Sequence, residues 1–215
     1  MTIGSFSVQS ATAATNHKSD AIRVLALGDS LTDGFGLSRK EAYPALIADR
    51  MRAANYPFEV INAGVSGGTT GGGLRRLPPL LRKKIDVLVL ALGINDAFQG
   101  VAVEQIRSNL QAIIDQTRAR YPRVSIIIAG MQLPIATGNS YVEAFGEIFG
   151  QLAEHNHAAL IPYLLEGVGG NPELNLPDYM HPNAAGQRVL AENVWRVLEP
   201  ILQKISSNTR AGDWD

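Results

Sequence analysis

Short aliphatic runs alternate with stretches of helical periodicity through most of this chain, and that alternation constrains its fold more than any other feature. Runs at 22–27, 58–62, 86–92 and 124–129 are too short for helices and read as buried strands, with a fifth at 159–163. Between them, 43–54 sets Leu46, Ile47 and Met51 on one helical face, and 103–120, 143–158 and 184–205 also read as helices. A segment at 74–84 begins as helix and meets Pro78-Pro79, which interrupt or restart it, because proline is tolerated only in a first turn. Strands joined through helices run parallel, with right-handed crossovers and helices on both faces. The fold class expected is therefore α/β, a three-layer α/β/α sandwich around a central, mostly five-stranded parallel sheet of flavodoxin-like type.

The 215 residues suffice for one domain, expected over 21–205. Residues 1–20 are rich in Ser, Thr and Ala and lack the basic start and apolar centre of an intact secretory signal. They read as a disordered leader or as what remains of a removed signal, and 206–215 read as a frayed tail. A net charge of -1 gives no electrostatic reason to expect nucleic acid or an anionic membrane as partner. The chain has no cysteine, which excludes disulfides and thiolate chemistry. Its apolar runs stop short of the roughly 18 residues that span a bilayer, so no membrane span is expected. Oligomeric state leaves no mark on the sequence.

In a parallel sheet of this kind every strand-to-helix loop opens on one edge, where ligands bind. The loops expected to meet there are 28–36, 63–73, 93–100 and 176–183. The first follows the strand Val24-Leu25-Ala26-Leu27 with Gly28-Asp29-Ser30, and puts Ser30 where a substrate would sit. A serine hydroxyl needs a base to become a nucleophile, and the fourth loop offers His181. Asp178, three residues before it, shares its side of the chain if the segment makes a helical turn, so its carboxylate can fix the imidazole tautomer. Donors for a developing oxyanion are available from the backbone N–H of Ser30, from Gly67, where glycine lets the main chain approach a ligand, and from the side-chain amide of Asn95.

Together these residues carry a family resemblance. Gly28-Asp29-Ser30-Leu31, Gly67 in a Ser-Gly-rich loop, Gly93-Ile94-Asn95-Asp96 and Asp178-Tyr179-Met180-His181-Pro182-Asn183 resemble, in unbroken order, the blocks of the GDSL or SGNH hydrolase superfamily. The likeness is greatest to the bacterial branch of arylesterases and acyl-CoA thioesterase-lysophospholipases. It implies Ser30 as nucleophile, His181 as base and Asp178 as its orienting acid, with Ser30, Gly67 and Asn95 as the oxyanion hole. It implies no metal and no organic cofactor. It implies a small-molecule ester as substrate, with short- to medium-chain acyl or aryl esters first and thioesters or lysophospholipids within range. It also implies the periplasm if a signal has been removed, and the cytoplasm otherwise. Two positions depart from the pattern. Gly68 stands where the branch often has aspartate, which is expected to loosen the Gly67 loop, and Ile94 stands for a glycine, which is expected to narrow or grease the wall of the oxyanion hole.

Leu74, Phe98, Leu133, Pro134, Ile135 and Met180 lie near the mouth and are the expected acyl wall, with 130–141 as a rim or lid. Asp29, one residue from the serine, points away from it and reads as structural. The glycine run 67–73 lacks the lysine and spacing of a phosphate-binding P-loop. His155 and His157, two apart on a helix, face different ways and cannot share a metal ion. Asn183 reads as a cap for the last helix. Two rivals to the esterase remain at this point: a carbohydrate O-acetylesterase, disfavoured by an aromatic content of only 7%, and a non-catalytic nucleotide- or phosphate-binding α/β protein, which leaves Asp178 and His181 without a task.

Overall fold

Five strands carry the architecture: β1 (Ile22–Gly28), β2 (Phe58–Gly64), β3 (Val87–Ala91), β4 (Ser125–Ala129) and β5 (Ala159–Ile161). The computed structural model describes residues 21–133 and 138–211, and the strands form one sheet in the order β2-β1-β3-β4-β5. All pairings are parallel, with Leu25 set against Ile61 on one side and Leu88 on the other, and Val89 against Ile127. β3 is buried along its whole length, as an aliphatic strand covered on both faces must be.

The helices are α1 (Ser30–Asp33), α2 (Tyr43–Ala53), α3 (Thr70–Leu80), α4 (Ile94–Phe98), α5 (Val103–Arg120), α6 (Ser140–His155) and α7 (Ala184–Ala211). α2 packs with α7, while α5 packs with both α3 and α6, which makes the two outer layers. Leu25, Leu27, Ile47, Met51, Leu88, Leu90, Phe145 and Leu198 are among the residues buried between the layers. The expected three-layer α/β/α sandwich with a five-stranded parallel sheet is the fold the chain adopts. From β1 the chain crosses to β2 on one side, then returns past β1 to β3 on the other. That reversal opens a crevice beyond the carboxyl ends of β1 and β3.

Several boundaries differ from those expected. α3 begins at Thr70, inside the run expected to be loop to residue 73, because Thr69 caps it by accepting the N–H of Gly72 at 3.1 Å. Pro78 and Pro79 neither interrupt nor restart that helix but lie in its final turn, and it closes at Leu80 rather than continuing to 84. α6 starts at Ser140 because Asn139 accepts the N–H of Tyr141 at 2.9 Å, and it stops at His155. β5 ends at Ile161, before Pro162, which has no N–H to give a ladder. α7 runs to Ala211, so the segment expected to fray from residue 206 begins as helix. α1 and α4 are short helices inside what the sequence suggests are plain loops.

Candidate active site

Ser30 opens α1, directly beyond the end of β1, and is 8% exposed. Its Oγ lies 3.0 Å from Nε2 of His181, a residue 151 positions further along the chain. On the other side of the imidazole, Nδ1 lies 2.7 Å from Asp178 Oδ2. Asp178 is held at a pKa of about 2, first by the backbone N–H of His181 and then by the imidazole and the N–H of Met180, so it is ionised through the neutral range. An ionised carboxylate only accepts, so the proton between these groups sits on Nδ1. The lone pair of Nε2 is then free to take the proton of Ser30.

The loop that carries Asp178 and His181 is built differently from the helical turn expected. Asp178 Oδ1 accepts the N–H groups of both Met180 and His181 at 3.0 Å, an Asx turn that folds the chain back on its own carboxylate. Tyr179, between them, adopts a left-handed backbone with φ +58°, a conformation an aromatic residue holds only when its surroundings impose it. His181 O accepts from Leu176 N–H at 2.7 Å, and Asn183 N–H donates to Leu174 O at 2.9 Å, which closes the base of the loop. As expected, Asn183 then caps α7, its Oδ1 accepting from Ala185 and Gly186.

The candidate oxyanion donors come from three of these loops. Gly67 has φ +74°, and a Cβ built on it would meet nothing within 4 Å, so its backbone borders open space. Neither the Gly67 N–H nor the Ser30 N–H has a hydrogen-bond partner among the described residues. Asn95, the second residue of α4, donates its amide to Gly68 O at 3.0 Å and reaches Asp29 Oδ2 at 3.4 Å. It is thus partly committed to holding the turn that carries Gly67, a task not legible from its place after β3. Gly68, expected to loosen the loop, sits in a closed turn. Its N–H closes a turn on Val65 O at 2.8 Å, and a Cβ there would come 2.7 Å from that same oxygen. Ile94 is half-buried against the core.

Behind these groups is a buried polar frame that the sequence did not announce. Asp29 is fully buried, and burial pushes its carboxyl up to about 7 against the opposing effects of the Leu31 N–H, which it caps at 3.0 Å, and of the Arg76 charge. The structural role expected for Asp29 is the one seen. Arg76, from α3, donates to Gly28 O at 2.6 Å and to Ala63 O, tying together the ends of β1 and β2. Asp96 accepts both the N–H and the hydroxyl of Thr70, at 2.8 and 2.6 Å, and so clips α4 to the start of α3.

Among the described residues, the members of the expected acyl wall differ in exposure. Leu133 is only 9% exposed and belongs to the core, and Leu74 is half-buried against it, whereas Phe98 and Met180 stand in solvent. Pro134 and Ile135, with residues 136 and 137 of the expected rim, lie outside the described residues. His155 and His157 are both exposed, one at the end of α6 and one in the turn after it. An aromatic neighbour that sequence reasoning missed is Phe35, whose ring centroid lies 4.4 Å from that of His181.

A serine, a histidine and an aspartate joined at hydrogen-bond distance on the carboxyl edge of a parallel α/β sheet define a serine hydrolase. Comparison with known proteins agrees with that class. The chain belongs to the GDSL-like lipase/acylhydrolase family, whose model matches residues 26–189. It is 39% identical to the esterase TesA of Pseudomonas aeruginosa over 180 residues, which is 83% of this chain and 89% of that protein. It is 34% identical to an arylesterase of Vibrio mimicus over 173 residues, 80% of this chain and 86% of that one. Among solved structures, a crystal structure of TesA superposes with a TM-score of 0.79 at 38% identity, covering 83% of this chain and 99% of the other.

Proposed function

We propose that this protein is a serine esterase that hydrolyses short- to medium-chain acyl or aryl carboxylic esters through an acyl-enzyme on Ser30. The observation that carries the reading is the continuous path from Ser30 Oγ through the imidazole of His181 to Asp178, at 3.0 and 2.7 Å. In the first half-reaction Ser30 Oγ bonds to the carbonyl carbon as its proton passes to Nε2, and the carbonyl oxygen takes the charge. The N–H groups of Ser30 and Gly67, without a partner among the described residues, and the amide of Asn95 are the donors proposed for that oxyanion. The carbon–oxygen bond to the alcohol then breaks, and the imidazolium returns the proton to the departing oxygen. Water repeats the sequence on the acyl-enzyme, losing its proton to Nε2 and releasing the acid and Ser30.

The names of the relatives, an esterase and an arylesterase, support esters as the substrate class. Thioesters and lysophospholipids present the same electrophilic carbonyl and lie within the same chemistry. Turnover of p-nitrophenyl acetate and butyrate tests the assignment. Ser30→Ala and His181→Ala are each expected to lower kcat by about 10⁴-fold or more with an unchanged far-ultraviolet spectrum. Turnover near the wild-type rate in either variant overturns it.

A further inference from the structure

In the reaction proposed above, the direction in which the alcohol leaves is fixed by stereochemistry. The departing oxygen collects its proton from Nε2, so it must come within hydrogen-bond reach of that atom, about 3 Å. The oxyanion turns instead toward Gly67 and Asn95. Whatever is attached to the departing oxygen therefore lies beside the imidazole, and the side chains next to His181 decide which alcohols fit.

Those side chains are apolar and uncovered. Phe35 stacks on the imidazole at 4.4 Å between centroids with the planes inclined by 37°, yet remains 45% exposed. Its position is fixed from both ends. Its N–H donates to the carbonyl oxygen of Ser30 at 3.1 Å, one turn after the nucleophile. Gly36, with φ +76°, lets Leu176 of the histidine loop approach so closely that a Cβ would lie 2.7 Å from Leu176 Cδ1. Tyr179 and Met180, immediately before His181 in the chain, are 66% and 54% exposed. Among the described residues the exposed large apolar side chains are Phe35, Val65, Phe98, Tyr179 and Met180, all on the four loops of this edge; Phe35 touches the imidazole, and Tyr179 and Met180 share its loop. Aromatic surface held in place without a partner of its own suits a flat apolar ligand, since rings gain from offset or tilted stacking at such separations.

We propose that Phe35 is the platform of a leaving-group subsite, flanked by Tyr179 and Met180, that selects esters of aromatic alcohols over esters of small aliphatic ones. This rests on the acyl-transfer reading and deepens it. It also moves Met180 from the acyl side, where the sequence suggested it, to the alcohol side.

The test compares 2-naphthyl acetate with ethyl acetate, which share an acyl group and therefore share an acyl-enzyme. Phe35→Ala is expected to lower kcat/KM about tenfold for the naphthyl ester and to leave the ethyl ester within about twofold. The rate at which the acetyl-enzyme breaks down should be unchanged. Phe35→Trp, which keeps a flat ring, should restore discrimination and covers the case in which the alanine variant folds poorly. An equal loss on both esters means that Phe35 only orients His181, and overturns the subsite while leaving the esterase standing. A loss that follows acyl length at constant alcohol overturns it too. Failure of the wild-type protein to hydrolyse either ester removes the esterase reading itself, and the subsite with it.

Discussion

Two carboxyl groups near Ser30 are driven in opposite directions by their surroundings, and their effects on stability have opposite signs. Asp178 is stabilised as the anion, so its contribution is complete above the ordinary aspartate value near 3.8 and is lost as pH falls toward about 2. Asp29 is the reverse: burial raises it from 3.8 to about 7, so the folded chain holds a proton that the unfolded chain has released. Its contribution is present below pH 4 and declines as pH rises to about 7. Asp29→Asn keeps the oxygen that accepts from Leu31 N–H and removes the titration. Thermal unfolding of both proteins at pH 5 and pH 8 is expected to show the variant gaining on the wild type at the higher pH, by up to about 3 kcal/mol. Parallel behaviour at the two pH values would mean that Asp29 stays ionised in the fold. The sequence identified Asp29 as structural but could not reveal its proton, because burial depends on Asn95, Arg76 and Leu31 closing around it.

The helices that deliver the site residues are held by side chains from distant parts of the chain. Gln187 on α7 is 1% exposed; its Oε1 accepts the N–H of Tyr43 at the start of α2, at 2.8 Å, and its Nε2 donates to Leu31 O in α1, at 3.2 Å. One amide therefore satisfies a buried donor and a buried acceptor and fixes α1, which carries Ser30, against both helices of one layer. Gln187→Ala strands both groups and is expected to cost about 1–3 kcal/mol, seen as a lower urea midpoint with an unchanged slope. An unchanged midpoint would contradict that role. The same long-range logic explains which elements were legible. The long helices and aliphatic strands followed from periodicity, because burial of one stripe or of both faces writes itself into the order of residues. The start of α3 in a glycine run did not, since it depends on the Thr69 cap and on Asp96 reaching Thr70 from another loop. The Asx turn at Asp178 also escaped, because a helical turn and a carboxylate-capped turn place residues three apart on the same side.

At the scale of the whole molecule, the fold turns four unremarkable loops into one site. The reversal of strand order at β1 puts the ends of β1 and β3 beside a shared crevice, and the last loop returns His181 to it from the far end of the sequence. The meeting of Ser30, Asp178 and His181 was legible because acyl transfer calls for those residue types. Phe35 was not, because its meaning comes from the imidazole it touches and not from its neighbours in the chain. The reactivity proposed for Ser30 is consequently a property of the assembled sheet, and a fluorophosphonate that traps activated serines reads it directly. Intact-mass measurement with peptide mapping is expected to find one adduct per folded chain, on Ser30, and none in His181→Ala or in protein unfolded in urea. An adduct at another residue, no adduct on the folded wild-type protein, or equal labelling of folded and unfolded chains would contradict the union of Ser30 and His181 as the source of its activity.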